Sequence, residues 1–243
     1  SACLVGSEMC IRDREVTGKI IEMWVMPNSL EPLTDVEKLL EGFEKKHPGI
    51  KIKVTSVDWG AAWTKITTAA TSGDVPDIAQ LGSTWVGSIS SMNALLDLKD
   101  KIGQIGGGGI FIPAAWASHG LVKSGQVTAI PWFVDARALF YRTDVLKMAG
   151  VKESDLNTWD SFDQALKKIK NAKIKIDGTE IAPLGIPGKN DWNVIHGLAP
   201  WIWGAGGDFI AGDFKHSLIA GRESLAGISF YINLARKGYI PLD

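Results

Sequence analysis

The chain has 243 residues, 45% of them hydrophobic, enough to bury one large core or two smaller ones. A formal net charge of -1 and a pI near 6.4 leave no basic excess for phosphate, which argues against nucleic acid and anionic membrane as partners. No apolar run reaches the roughly 18 residues that a membrane span requires.

Both cysteines, Cys3 and Cys10, lie in the opening stretch "SACLVGSEMCIRDR", which has neither the basic start nor the apolar middle of an export signal. It reads as the translation of a sequencing adapter, so residues 1–14 are expected to be a non-native scar, and the remaining chain then has no cysteine.

From Lys19 onward, short β-rich runs alternate with helical ones. "KIIEMWVM" predicts a strand ended by "PNS". In "TDVEKLLEGFEKKHPG", Thr34 and Glu37 have capping-box spacing, Lys45 and Lys46 fall in the last turn, and Pro48-Gly49 stop the helix. "IKIKVTSV" alternates as a strand, "GAAWTKITTAATSG" predicts a helix and "PDIAQLG" a third strand. Strands separated by helices imply a parallel sheet, with ligands bound at the carboxyl ends of its strands. Between residues 101 and 120 the Gly106–Gly109 run predicts a mobile loop. It lacks the Lys-Ser/Thr ending and the strand-to-helix setting of a phosphate cradle.

A second unit of the same kind follows. "AIPWFV", "ALFYRTD" and "IAPLGIP" predict strands, "SFDQALKKIKNA" a helix, the segment from Asp191 to "WIWGAGG" another, and residues 222–237 the last. The amphipathic helix "SLAGISFYINLARKGYIPLD" runs into Gly and Pro and the chain ends at Asp243.

Familiar catalytic signatures are missing: there is no G-x-S-x-G elbow and no H-E-x-x-H, and "GAGGD" has Phe209 where a dinucleotide fingerprint needs its third Gly. The four histidines are too scattered for a metal site. Asp135 and Asp191, each with Trp nearby, could form a glycosidase pair. That chemistry needs one carboxyl with raised pKa, and Arg137 beside Asp135 would act the other way. Ten tryptophans against three tyrosines are the compositional outlier, and Trp is enriched where a flat apolar face meets a partly polar ligand.

Four stretches carry a resemblance: "FEKKHPGIKIKV", "GDVPDIAQLGSTWVGSISSMNALLDL", "IPWFVDARALFYRTDVLKMAGV" with "NTWDSFDQALKKI", and "APWIWGAGGDF". Together they are similar to the extracellular solute-binding proteins of bacterial ABC importers, in the sugar-binding group that includes maltose-binding protein. The resemblance covers nearly everything from about residue 17 to 243. It implies an α/β, two-lobe periplasmic-binding-protein-like fold, each lobe a mainly parallel sheet covered by helices. Lobe one would span 15–130 and lobe two 131–243. The family is normally well over half as long again, with a return to the first lobe, so the chain is expected to be incomplete at its C-terminus.

The resemblance further implies a sugar bound in the cleft between lobes, delivery to membrane permease subunits, a monomer, no cofactor or metal, and a periplasmic or extracellular location, with or without a lipid anchor. Its motifs place ligand contacts at Asn28, Ser29, Ser83, Thr84 and Trp85 in lobe one. In lobe two they place Trp132, Asp135, Asn190, Trp192 and His196, with Arg137 added on chemistry. Trp stacks on the C–H faces of a sugar, while carboxylate, guanidinium and amide groups take its hydroxyls. Only one of Trp201 and Trp203 is expected to face the cleft, and Trp59 and Trp63 divide evenly between ligand contact and packing. Trp24, Trp116 and Trp159 read as core, and Arg137 either reaches the ligand or pairs with Asp135 or Asp144. The alternatives are a hydrolase using Asp135 and Asp191 and a binder of a non-sugar solute.

Overall fold

The computed structural model describes residues 18–188, 191 and 193–241. The stretch 1–14 and the candidate contacts Asn190 and Trp192 lie outside the described residues. The chain divides into two compact units between Ala136 and Arg137.

In unit one, β1 (Lys19–Val25) lies between β2 (Ile50–Ser56) and the two-residue β3 (Ile78–Ala79), and all three are parallel. Lys19 faces Ile50 at one end of the β1–β2 ladder and Val25 faces Ser56 at the other. The connection between β1 and β2 is α1 (Pro32–Lys46) and that between β2 and β3 is α2 (Trp59–Ser72), as parallel pairing requires. The expected Thr34–Glu37 capping box is not used, because the N-cap falls three residues earlier, at Glu31, with Pro32 in the first turn and no side-chain cap. Proline is pre-set for that position and has no N–H to satisfy, so the helix can begin there uncapped. The start of α2 is capped by Asp58, whose Oδ1 accepts from Gly60 N at 2.8 Å, and Gly73 ends the helix at φ +81°.

The core of unit one gathers Met26, Val57, Ala62, Ile66 and Ile89, the last from α3 (Val86–Ser91). Beyond it, Gly106 and Gly107 join two 3-10 turns, Ile102–Ile105 and Gly108–Ile110, the second of which takes up Gly108 and Gly109, and α4 (Pro113–Trp116) follows. Gly108 is required by packing: a Cβ there would meet the Trp116 indole at 2.4 Å. Trp116 also stacks on Phe111 and on His119, in keeping with a packing role.

Unit two opens with α5 (Thr143–Met148) and α6 (Trp159–Ala172). The N-cap of α6 is Thr158, which exchanges hydrogen bonds with Ser161. Phe162, Ala165, Leu166 and Ile169 bury one face of that helix. Then β4 (Lys175–Ile176) and β5 (Thr179–Glu180) form an antiparallel hairpin. Asp177 and Gly178 at its turn both have positive φ, 50° and 82°, the geometry of the tight Asp-Gly turn. Next come α7 (Val194–Gly204) and α8 (Arg222–Arg236), which cross where Gly227 would clash if it bore a side chain.

Three expected strands are absent. Residues 129–142 and 181–187 carry no strand, and the hairpin is the only sheet among the described residues of unit two, where a parallel sheet was expected. Alternation of apolar residues selects a conformation, but a strand also needs a neighbour to complete its ladder. Among the described residues no strand pairs with 129–142, although Ala129 N donates to His119 O at 2.9 Å, and the side chains from Trp132 to Arg142 are exposed, Phe140 at 90%. In 181–187 only single bonds form, such as Leu184 N to Tyr239 O at 3.0 Å.

Candidate functional site

The carboxyl ends of β1 and β3 bring a cluster of polar and aromatic side chains together in unit one. As β1 ends, the N–H of Met26, a residue only 1% exposed, would be left without a ladder partner because β3 is so short. The Gln80 side chain supplies it, Oε1 accepting from Met26 N at 2.9 Å. The same oxygen accepts from Asn28 Nδ2 at 3.2 Å, and Asn28 Nδ2 also donates to Met26 O at 3.0 Å. From the other side, Trp59 Nε1 donates to Pro27 O at 2.9 Å. The turn at 26–28 is thus held by a strand-end glutamine and a helix-start tryptophan.

Three indoles converge beside it. Trp59 and Trp63 are four residues apart on α2 and so share a face of that helix. Trp85, which precedes α3, lies 5.9 Å from the Trp59 ring and 5.7 Å from that of Trp63. Trp59 and Trp85 pack against the core of unit one, whereas Trp63 is 40% exposed. Gly82 lets the indole fold back over its own loop, since a Cβ there would stand 3.1 Å from the Trp85 ring. Ser83 and Thr84 are exposed at the tip of this loop, and Ser29 is exposed next to Asn28. The nearby charges are occupied: Asp58 caps α2, and Lys65 places its Nζ 4.3 Å from the Trp24 ring centroid. What the cluster offers is aromatic surface with hydroxyl and amide groups.

The stretch 129–144 crosses the division between the units. Trp132 is exposed with its ring against Phe133, and Asp135 is exposed with no partner among the described residues. Arg137 pairs with neither expected aspartate. Its Nη2 donates to Asn193 Oδ1 at 2.9 Å, while Asp144 is taken by Arg142 through bonds of 2.6 and 3.1 Å.

Within unit two, Trp201 turns inward against Trp159, Phe162 and Phe230, and Trp203 is 56% exposed with Nε1 donating to Asp208 Oδ1 at 3.1 Å. His196 is half-buried on α7. Asp191 accepts from Asn193 N at 2.8 Å, a local turn bond. Among the described residues no three His, Cys, Asp or Glu side chains group as a metal site. No described helix is long and apolar enough to cross a membrane.

Sequence reasoning singled out the residues around this cluster but missed Gln80. A glutamine belongs to no motif. The available signal was its place as the one polar side chain between Ala79 and Leu81 at the end of an apolar strand.

Comparison with known proteins bears on these features. Residues 28–240 match the bacterial extracellular solute-binding protein family. The diacetylchitobiose binding protein DasA of Streptomyces coelicolor is 32% identical over 232 residues, 93% of this chain and 50% of that protein. The GacH receptor of Streptomyces glaucescens, solved unliganded and with acarbose, is 25% identical with a TM-score of 0.73, covering 94% of this chain and 55% of that one. A solute-binding protein of an ABC transporter from Thermotoga lettingae shares the fold at a TM-score of 0.77 and 22% identity, over 91% of this chain and 55% of that one. The chain therefore spans about half the length of these relatives, and it has their α/β, two-lobe fold.

Proposed function

The chain belongs to the bacterial extracellular solute-binding protein family, and from that premise we propose that it binds a mono- or oligosaccharide without turning it over and hands it to the permease of an ABC importer. The observation that carries this reading is the Trp63–Trp85 pair, joined through Trp59 to the 26–28 turn that holds Asn28, at the carboxyl ends of β1 and β3. Open parallel sheets bind ligands at that edge, and an indole face flanked by amide and hydroxyl groups suits a pyranose ring. The ligands in the names of two relatives, diacetylchitobiose and acarbose, are saccharides or saccharide-like.

In this reading Asn28, Ser29, Ser83 and Thr84 take hydroxyls while Trp63 and Trp85 stack, with Trp59 holding the turn. Trp132, Asp135, Arg137, Asn190, Trp192, His196 and Trp203 are assigned as further contacts, and Trp201 is withdrawn to the core by its packing. The protein works as a monomer at the cell exterior or in the periplasm, lipid-anchored where the full-length form carries the signal.

Calorimetry with diacetylchitobiose, maltose, trehalose and sucrose tests the proposal. Saturable binding of at least one sugar, with no release of monosaccharide on prolonged incubation, is the expected result. Hydrolysis abolished by Asp135→Asn would replace it with the glycosidase reading.

A further inference from the structure

Gln80 and Asn28 form a unit whose hydrogen-bond polarity is set by the backbone. An amide side chain can be placed in either of two orientations, and its neighbours decide which is correct. Met26 N can only donate, so the Gln80 atom 2.9 Å from it must be the oxygen. Met26 O can only accept, so the Asn28 atom 3.0 Å from it must be the nitrogen. The bond of 3.2 Å between the two side chains then also runs in the correct sense, nitrogen to oxygen. Two atoms remain uncommitted among the described residues: the NH2 of Gln80, with two protons to donate, and Oδ1 of Asn28, an acceptor.

A donor and an acceptor carried on adjacent, mutually bonded amides match two neighbouring hydroxyls, one accepting and the other donating. Neither group is charged, and the loop at 82–85 adds none. We propose that Gln80 is a ligand-contacting residue as well as the brace of the 26–28 turn, and that with Asn28 it reads an uncharged vicinal diol of the sugar stacked on Trp63 and Trp85. This rests on the sugar-binding reading above and adds to it a residue, a polarity and a ligand class. The brace is permanent and inward, whereas the NH2 group acts only when ligand is present, so the two roles can be separated.

Gln80→Glu separates them. A carboxylate keeps an oxygen for Met26 N and Asn28 Nδ2 but replaces the outward donor with a second acceptor. Gln80→Met removes both functions at similar size. The full chain is measured with the tightest binder among diacetylchitobiose, maltose, trehalose and sucrose. The expected result is an unchanged Tm for Gln80→Glu with affinity reduced about tenfold, the worth of one good hydrogen bond. Gln80→Met loses both Tm and affinity. Wild-type affinity in Gln80→Glu overturns the contact role, and a Tm as low as that of Gln80→Met overturns the assigned polarity. Absence of sugar binding by the unaltered chain sinks the sugar reading and this assignment with it, so the two failures are distinguishable.

Discussion

Arg137 donates to Asn193 Oδ1 at 2.9 Å and so ties the first residue of unit two to the residue that precedes α7. One of the five guanidinium donors is used in this bond, leaving the others for a ligand. A double-mutant cycle on Arg137→Ala and Asn193→Ala should return about 0.2–1 kcal/mol of coupling in stability, typical of an exposed pair. In sugar binding Arg137→Ala should cost more than Asn193→Ala. Equal losses would make Arg137 a brace for the turn and nothing more.

Gly227 marks the closest approach of α7 and α8. A Cβ at that position would lie 2.3 Å from the carbonyl oxygen of Trp201 and 2.6 Å from its carbon, both backbone atoms that cannot swing aside. Gly227→Ala should therefore destabilise unit two by about 1–3 kcal/mol or more, the range for overpacking a tight contact. Gly212→Ala, where nothing lies within 4 Å, is the control and should stay within about 0.5 kcal/mol. Thermal denaturation of the two variants side by side decides the point.

The elements that could be read from the sequence are those whose own period defines them. The strands β1 and β2 and the helices α1, α2, α6 and α8 lie where alternation or helical spacing puts them. Features that depend on a partner were not legible. The runs 129–142 and 181–187 have strand-like composition, yet the ladder that would make them strands is missing among the described residues. The β4–β5 hairpin has the reverse character: each strand is only two residues long, too short for a period, and the Asp177-Gly178 pair was its sole signal. At the site, Trp201 and Trp203 look alike in sequence, and only the packing of Trp201 against Trp159 and Phe230 separates them. Gln80 illustrates the same limit, because its role comes from the unpaired N–H of a residue on a different strand end.

That packing difference predicts opposite phenotypes for the tryptophans. Trp201→Ala should lower stability by about 3–5 kcal/mol, the cost of emptying a core aromatic, whereas Trp203→Ala should leave it nearly unchanged. In unit one, Trp63→Ala should weaken sugar binding about tenfold to a hundredfold with a small change in Tm, since Trp63 is 40% exposed and stands outside the buried cluster of that unit. Trp85→Ala should lose both, because its indole also packs on the core. If Trp63→Ala binds sugar as the unaltered chain does, the aromatic platform is not the ligand face.

Asp97 closes the excursion from 98 to 126 by accepting from Val127 N and Lys99 N, each at 3.0 Å. Those two backbone bonds, that of Val127 foremost, hold its carboxyl below the usual carboxylate range. Asp144 is lowered chiefly by Arg142, Glu44 by Lys51, and Asp213 by the Lys215 N–H and then His216. A depressed folded-state pKa contributes stability that is fully present above the unfolded value, about 4, and is lost as pH falls through the lower folded values. Tm should accordingly be flat with respect to these groups from about pH 7 to 5 and fall below about pH 4. Asp97→Asn keeps an oxygen for both N–H donors but removes the charge, so it should lower Tm at neutral pH and make the acid limb shallower. An acid limb of unchanged steepness in Asp97→Asn would show that the Asp97 charge plays no part in closing the loop.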